Sequence, residues 1–343
     1  VELDEDEVVM DLGERTGHTL VLGTTRVGKT RLAEVLICQD IRRGDIVIVF
    51  DPKGDPELLR RMYAEAKRAG REKDFHFFHL GYPDISARYN PIGSFSRITE
   101  VATRIAGQLP SEGQSAAFRE FVWRFVNVMA RAMVALGRKP DYQSIYENAV
   151  HVDQLAKEYF IYWLDRDHPN WRTRMAAMDP EVDKDMRKQA QKTGRDLEAI
   201  AILTFIREAG LHDPIADGLS SVLSNDRSYF EKLVSSLYPL LEKLTTGKTS
   251  ALLSPDYANT HDPRPIFDWM SIINKGGIVY VGLDSLSDYE VAGAVGNAMF
   301  ADMTSIAGQI YKFGQGYGQS ATGVARKICI HADEFNELIG DEF

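Results

Sequence analysis

The chain has 343 residues, 44% of them hydrophobic and 26% charged, with a formal net charge of −10; this balance describes a globular protein and excludes a disordered or low-complexity one. No uncharged apolar run approaches the roughly eighteen residues of a membrane helix, and no signal-peptide pattern opens the chain. The acidity argues against a surface that clings to nucleic acid as a whole, and confines any such contact to a pore lining or loop cluster.

The first predicted strand, His18-Thr19-Leu20-Val21-Leu22, leads into Gly23-Thr24-Thr25-Arg26-Val27-Gly28-Lys29-Thr30, and Arg31 to Ile37 continues as a helix. The octapeptide fits G-x-x-x-x-G-K-[ST] in the strand, loop and helix setting that this motif requires. Gly23 and Gly28 let the backbone bend so that successive N–H groups face one concavity, and a helix N-terminus adds partial positive charge. Lys29 is then placed to reach β- and γ-phosphates, and the Thr30 hydroxyl to ligate Mg²⁺. Arg26 is expected to point outward from the loop. A second Gly-Lys-Thr, at Gly247 to Thr249, has Glu242 where the first glycine belongs and a helix before it, so it reads as a helix end.

Ile46 to Phe50 is the next strand, ending at Asp51-Pro52-Lys53-Gly54-Asp55; a helix runs from Glu57 to about Ala69, and Phe75 to Leu80 is a third strand. Asp51 and Lys53 sit beside the expected site, where they serve either a nucleotide, a neighbouring subunit or simply a capped turn. His76 and His79, three apart in a strand, face opposite sides and make a poor metal pair. Cys38 and Cys329, the only cysteines, lie in apolar contexts that suggest buried thiols in a reducing compartment rather than disulfides or a zinc site.

From about Ser96 to Thr246 strand signals vanish. Apolar residues recur at helical spacing through Ile98, Val101, Ala102 and Ile105, then Phe118 to Met133, then Phe230 to Leu244. Breaks are expected at Pro140-Asp141 and Asp213-Pro214, with Pro239 kinking the last helix. Arg119, Arg124 and Arg131 are either solvated helix charges or contacts for DNA or a protein cargo.

After Pro263 the α/β pattern returns. Gly277 to Leu283 is a buried strand, Ser287-Asp288-Tyr289-Glu290 fits a capping box opening a long helix, and Phe313 to Val324 reads as a flexible connector or a functional pore loop. Ile328-Cys329-Ile330-His331-Ala332-Asp333-Glu334 then presents an apolar strand ending in two acids. Downstream of a phosphate loop, Asp333 is placed to bind the Mg²⁺ water shell and Glu334 to polarise an attacking water. The expected fold is a doubly wound α/β parallel sheet in two parts, residues 1–95 and 251–343, interrupted by an all-α block over 96–250.

Taken together, HTLVLGTTRVGKT, IVIVFDPKGD, the YNPIG of Tyr89 to Gly93, GIVYVGLDSL and ICIHADEFNEL resemble conjugative coupling proteins of the TraD/TraG type, the P-loop ATPases of type IV secretion. The resemblance spans essentially the whole chain. It implies a RecA-like P-loop motor domain interrupted by an all-α inserted domain, assembling as a membrane-anchored hexamer at the cytoplasmic face of the bacterial inner membrane that uses ATP and Mg²⁺ to feed single-stranded DNA with its relaxase into the secretion channel. Residues 23–31, including Arg31, would contact nucleotide; Lys29 and Glu334 would be catalytic, and Thr30 and Asp333 would hold the metal. The chain stops a few residues into an expected helix and reads as a fragment, lacking the family's membrane segments and its trans-acting arginine. Two alternatives are an FtsK/HerA-like DNA pump and a recruitment scaffold in which ATP sets assembly with little turnover.

Overall fold

The computed structural model describes residues 9–24, 26–109, 115–178, 180–314 and 326–334. Helix α1 (Lys29–Arg43) leads into strand β1 (Ile46–Asp51), helix α2 (Pro56–Arg68) and strand β2 (Phe75–His79). Asp55 starts α2 by accepting from the Glu57 amide, Pro56 presets the first turn, and Lys67 and Arg68 complement the dipole at its end.

Eleven helices follow among the described residues. They are α3 (Thr99–Ala106), α4 (Ser115–Ala135), α5 (Tyr142–Val150), α6 (Val152–Asp167), α7 (Trp171–Ala176) and α8 (Pro180–Thr193). Beyond them run α9 (Leu197–Glu208), α10 (Pro214–Leu223), α11 (Arg227–Leu233), α12 (Leu237–Thr245) and α13 (Gly247–Leu253). The expected breaks are there: Asp141 caps α5 and Asp213 caps α10, with Pro214 in its first turn. Pro239, however, kinks nothing. The run from Phe230 to Leu244 divides at residues 234–236, before the proline, which then sits in the first turn of α12 where its missing N–H costs little. Gly247 separates α12 from α13 with a positive φ of 60°, so the second Gly-Lys-Thr is a helix boundary.

The chain returns to the sheet through α14 (Trp269–Lys275), β3 (Ile278–Gly282), the 25-residue α15 (Tyr289–Phe313) and β4 (Ile328–Ala332). The cap of α15 is Asp288, which accepts from the Val291 amide, one residue later than the capping box expected at Ser287. The connector expected up to Val324 lies, from residue 315 on, outside the described residues.

The four strands form one parallel sheet in the order β2-β3-β1-β4. Strand β1 is buried along its whole length, and its alternate residues serve two cores. Val47 and Val49 pack with Tyr280 and with Ile37, Ile41, Leu58 and Met62 of α1 and α2. Ile46, Ile48 and Phe50 face the other way, into a cluster that runs without a break through Trp269, Phe300 and the helices of the middle block. The molecule is thus an α/β protein whose parallel sheet has helices on both faces.

The strand expected at His18–Leu22 is not formed. Residues 18–24 carry no strand pairing, and Leu20 and Leu22 are 77% and 82% exposed. Strand propensity needs a neighbouring ladder to become a strand, and β4, the nearer edge of the sheet, does not pair with this segment.

Candidate active site

Parallel strands deliver their carboxyl ends to one rim. Register places Phe50 beside Ala332, and the Asp333 amide donates to the Phe50 carbonyl at 3.0 Å, so the turn after β1 and the acids after β4 lie side by side. Helix α1 starts at the same rim. Its N-cap, Gly28, is left-handed with φ 94° and offers no side-chain cap, which leaves the first-turn N–H groups open to an anion.

Across this rim the Thr30 hydroxyl donates to Asp333 Oδ2 at 3.4 Å, joining residues 303 apart in sequence. Lys29 Nζ donates to the carbonyls of Gly23 and Thr24, each at 2.9 Å, folding its ammonium over the loop. The loop has no room for a larger residue at Gly23, where an added Cβ would lie 2.7 Å from Val27 Cγ2. These residues fit a magnesium nucleotide: a mobile cation, uncapped helix amides, and a hydroxyl and carboxylate as the hard oxygen donors that Mg²⁺ takes.

Glu334 follows in a left-handed conformation, φ 44°, with its amide donating to Asp333 Oδ1 at 2.9 Å. Lys53 Nζ donates to Glu334 Oε1 at 2.7 Å. That hydrogen bond, with the charges of Lys53 and Lys29, outweighs the cost of burial and holds the Glu334 carboxyl below its usual range. Asp51, in contrast, is buried and fully employed. Its Oδ1 accepts from the amides of Lys53 and Gly54 at 3.0 and 2.9 Å, and its Oδ2 from the Asp55 amide and the Tyr280 hydroxyl at 2.6 and 2.7 Å. Burial and the adjacent Asp51 charge push the Tyr280 hydroxyl far up, so it stays a donor. Asp51 therefore builds the turn, and Lys53 is what the turn presents.

The remaining candidates separate. Arg26, φ 65°, and Val27 are both exposed, with Val27 Cγ2 lying against Gly23. Arg31 turns to Glu34 at 2.8 Å and Glu57 at 3.2 Å, while Thr25 lies outside the described residues. The pairing of Lys53 with Glu334 and of Tyr280 with Asp51 has no signature in the sequence, since the partners are 281 and 229 residues apart.

At the other end of β4, Asp40, Asp45 and Cys329 bring ligand atoms within 4.8 Å of one another. Their charges are already matched. Arg15 grips Asp40 at 2.6 and 2.8 Å, Arg43 also pairs with it, and His331 Nε2 lies 2.8 Å from it. Burial opposes the Asp40 charge, but the bonds from His331 and Arg15 outweigh it and hold the carboxyl well below the usual range. Burial, with Asp40 and Asp45 nearby, pushes the Cys329 thiol up to about 11. This cluster is an anchor that ties the segment before the loop to α1 and β4. Both cysteines are free, Cys38 buried and Cys329 half-buried, and His76 and His79 diverge as the strand period requires, the first towards Phe267 and the second towards Tyr280.

No family model matches the chain, and no curated protein or solved structure matches it either.

Proposed function

We propose that this chain is the motor core of a P-loop ATPase that moves single-stranded DNA, with its relaxase or another protein cargo, in the manner of a conjugative coupling protein. The observation that carries the nucleotide reading is the meeting of Thr30 with Asp333 at the open N-terminus of α1. In this reading Lys29 leaves the loop carbonyls for the β- and γ-phosphate oxygens. Thr30 and Asp333 hold Mg²⁺. Glu334 accepts the proton of the attacking water through a carboxylate oxygen. The bound metal supplies neutralisation of phosphate charge.

What supports the coupling-protein reading over an FtsK/HerA-like pump is the block of helices between β2 and β3, together with the motifs at both its borders. Among the described residues no helix is long and apolar enough to cross a membrane, so the proposed membrane-associated hexamer would use a segment outside them. With a net charge of −10, DNA contact would be restricted to a lining or loop cluster. The test is ATP turnover with and without single-stranded DNA. Stimulated turnover is expected; ATP binding with little stimulated turnover would favour the recruitment scaffold, and absence of ATP binding would contradict all three readings.

A further inference from the structure

We propose that the outer face of α2 is the surface on which this chain holds single-stranded DNA, with phosphates on Arg60 and Lys67 and an unpaired base against the ring of Tyr63. The identity of the polyanion rests on the DNA-moving reading above; the surface rests on geometry.

In a chain of net charge −10, residues 60–73 hold six basic residues and two acidic ones. Helix periodicity sorts them. Leu58, Met62, Glu65 and Ala66 turn inward, which leaves Arg60, Arg61, Tyr63, Ala64, Lys67 and Arg68 exposed. The acids of α2 are engaged elsewhere: Glu57 pairs with Arg31, and Glu65 is buried against Arg42. Arg71 is engaged too, donating to the carbonyls of Ile41, Asp45 and Gly276. The side chains of Arg60 and Lys67, by contrast, make no recorded hydrogen bond or ion pair among the described residues. The helix dipole accounts for Lys67 and Arg68 in the last turn, but not for Arg60 and Arg61 near the middle. This stripe is the local contact that so acidic a chain requires, on a helix face rather than a loop.

Tyr63 separates the stripe from an ordinary solvated face. It lies three residues after Arg60 and four before Lys67, and so stands beside both on the helix surface. Its hydroxyl donates to Glu72, and its ring meets that of Phe75 at 74° with centroids 5.4 Å apart. These contacts hold the ring in place while 42% of the residue stays open to solvent, so a base that stacks on it costs little further side-chain freedom. Cations beside a fixed aromatic ring are how a single strand is held without regard to sequence, by phosphate neutralisation and base stacking. A duplex has its bases stacked already and brings Tyr63 no free base. A lipid surface takes apolar side chains beside the cations, and on the exposed face of α2 from residue 60 to 68 only Ala64 and the Tyr63 ring are apolar.

Fluorescence anisotropy of a labelled oligothymidylate, titrated with the whole chain over a series of salt concentrations, tests this. Tyr63→Ala should weaken binding by roughly 5- to 100-fold with little change in salt dependence, whereas Tyr63→Phe, which keeps the ring, should bind as the wild type does. Arg60→Gln combined with Lys67→Gln removes two phosphate contacts and should lower the slope of log affinity against log salt by about 1.4. Circular dichroism and ATP binding of each variant should match the wild type.

Wild-type affinity and slope in these folded variants would put the DNA elsewhere, so that the inference fails while the DNA-moving reading stands. A wild-type chain that binds no oligothymidylate at any salt defeats both. Binding to phosphatidylglycerol vesicles that falls with Arg60→Gln and Lys67→Gln, in a chain whose oligothymidylate affinity ignores Tyr63→Ala, would make the face a lipid contact and overturn the inference as well. ATP binding is scored separately, so failure of the nucleotide site leaves each of these outcomes decisive.

Discussion

Asp51 and Asp333 end neighbouring strands, yet their carboxylates do different work because of what surrounds them. Asp51 has four donors on two oxygens, leaving it no role beyond the turn. Asp333 meets only the Thr30 hydroxyl and the Glu334 amide among its recorded hydrogen bonds, and so retains acceptor capacity for a cation. Glu334 is next to it but faces Lys53. The account therefore predicts different failures for the two acids. Glu334→Gln keeps the shape and one acceptor oxygen but takes no proton, and should bind magnesium ATP while losing turnover by roughly 10²–10⁴-fold. Asp333→Asn should weaken Mg²⁺-dependent binding as well. Nucleotide titrations with and without Mg²⁺, beside steady-state rates, separate the two; wild-type turnover in Glu334→Gln would move the base elsewhere.

Between elements, a buried charge network is one of the contacts that join the helical block to the rest of the fold. Arg104 of α3 donates to the carbonyls of Pro91 and Ser94 and lies 3.2 Å from Asp302 of α15, which also accepts from the Tyr89 hydroxyl. Asp302 is 1% exposed, and burial, only partly offset by Arg104 and Tyr89, pushes its carboxyl up to about 6. A folded-state value above the ordinary carboxylate range means that the fold favours the neutral acid. The resulting stabilisation is complete below the unfolded pKa and is lost as pH rises through about 6. The wild-type protein should therefore lose stability relative to Asp302→Asn between pH 4 and pH 7, measured by denaturant unfolding at fixed ionic strength. Parallel curves would show that Asp302 does not titrate in that window. None of this network was legible in the sequence, because Arg104 reads as an ordinary helix charge and Asp302 as a polar residue in a small-residue helix. The elements themselves were legible where a local cause was sufficient: Asp141, Asp213 and Asp55 cap as their neighbours dictate. The lead-in strand was misread because Leu20 and Leu22 look like core, and only a pairing partner could have made them so.

At the scale of the molecule, the two motifs of the site belong to opposite ends of the chain, and the sheet brings them together. The loop precedes α1, the two acids follow β4, and β1 stands between them as the common neighbour of β3 and β4. The helical block is large, yet its core is continuous with the face of the sheet that carries Ile46, Ile48 and Phe50. The Tyr89 amide donates to the Leu252 carbonyl at 2.9 Å, and Arg104 holds the segment from Pro91 to Ser94, so α3 and α13 act as the joints of the insertion. Replacing α4 to α12 by a short linker, with α3 and α13 retained, should leave a core that unfolds in one cooperative transition, whereas removing residues 96–250 entirely should strip Arg104 from Asp302 and broaden that transition. Calorimetry of the two variants distinguishes them. Equal cooperativity would show that the joints add nothing.

The central claim is that the loop and the two acids form one nucleotide site, and equilibrium binding of ATP in the presence of Mg²⁺ to the wild-type chain and to Lys29→Ala tests it most directly. Lys29 is half-buried and bonds only to loop carbonyls among its recorded hydrogen bonds, so its removal should leave the circular dichroism and melting profile unchanged while abolishing ATP binding. Unchanged affinity in a folded Lys29→Ala variant would contradict the assignment of the loop as a phosphate cradle.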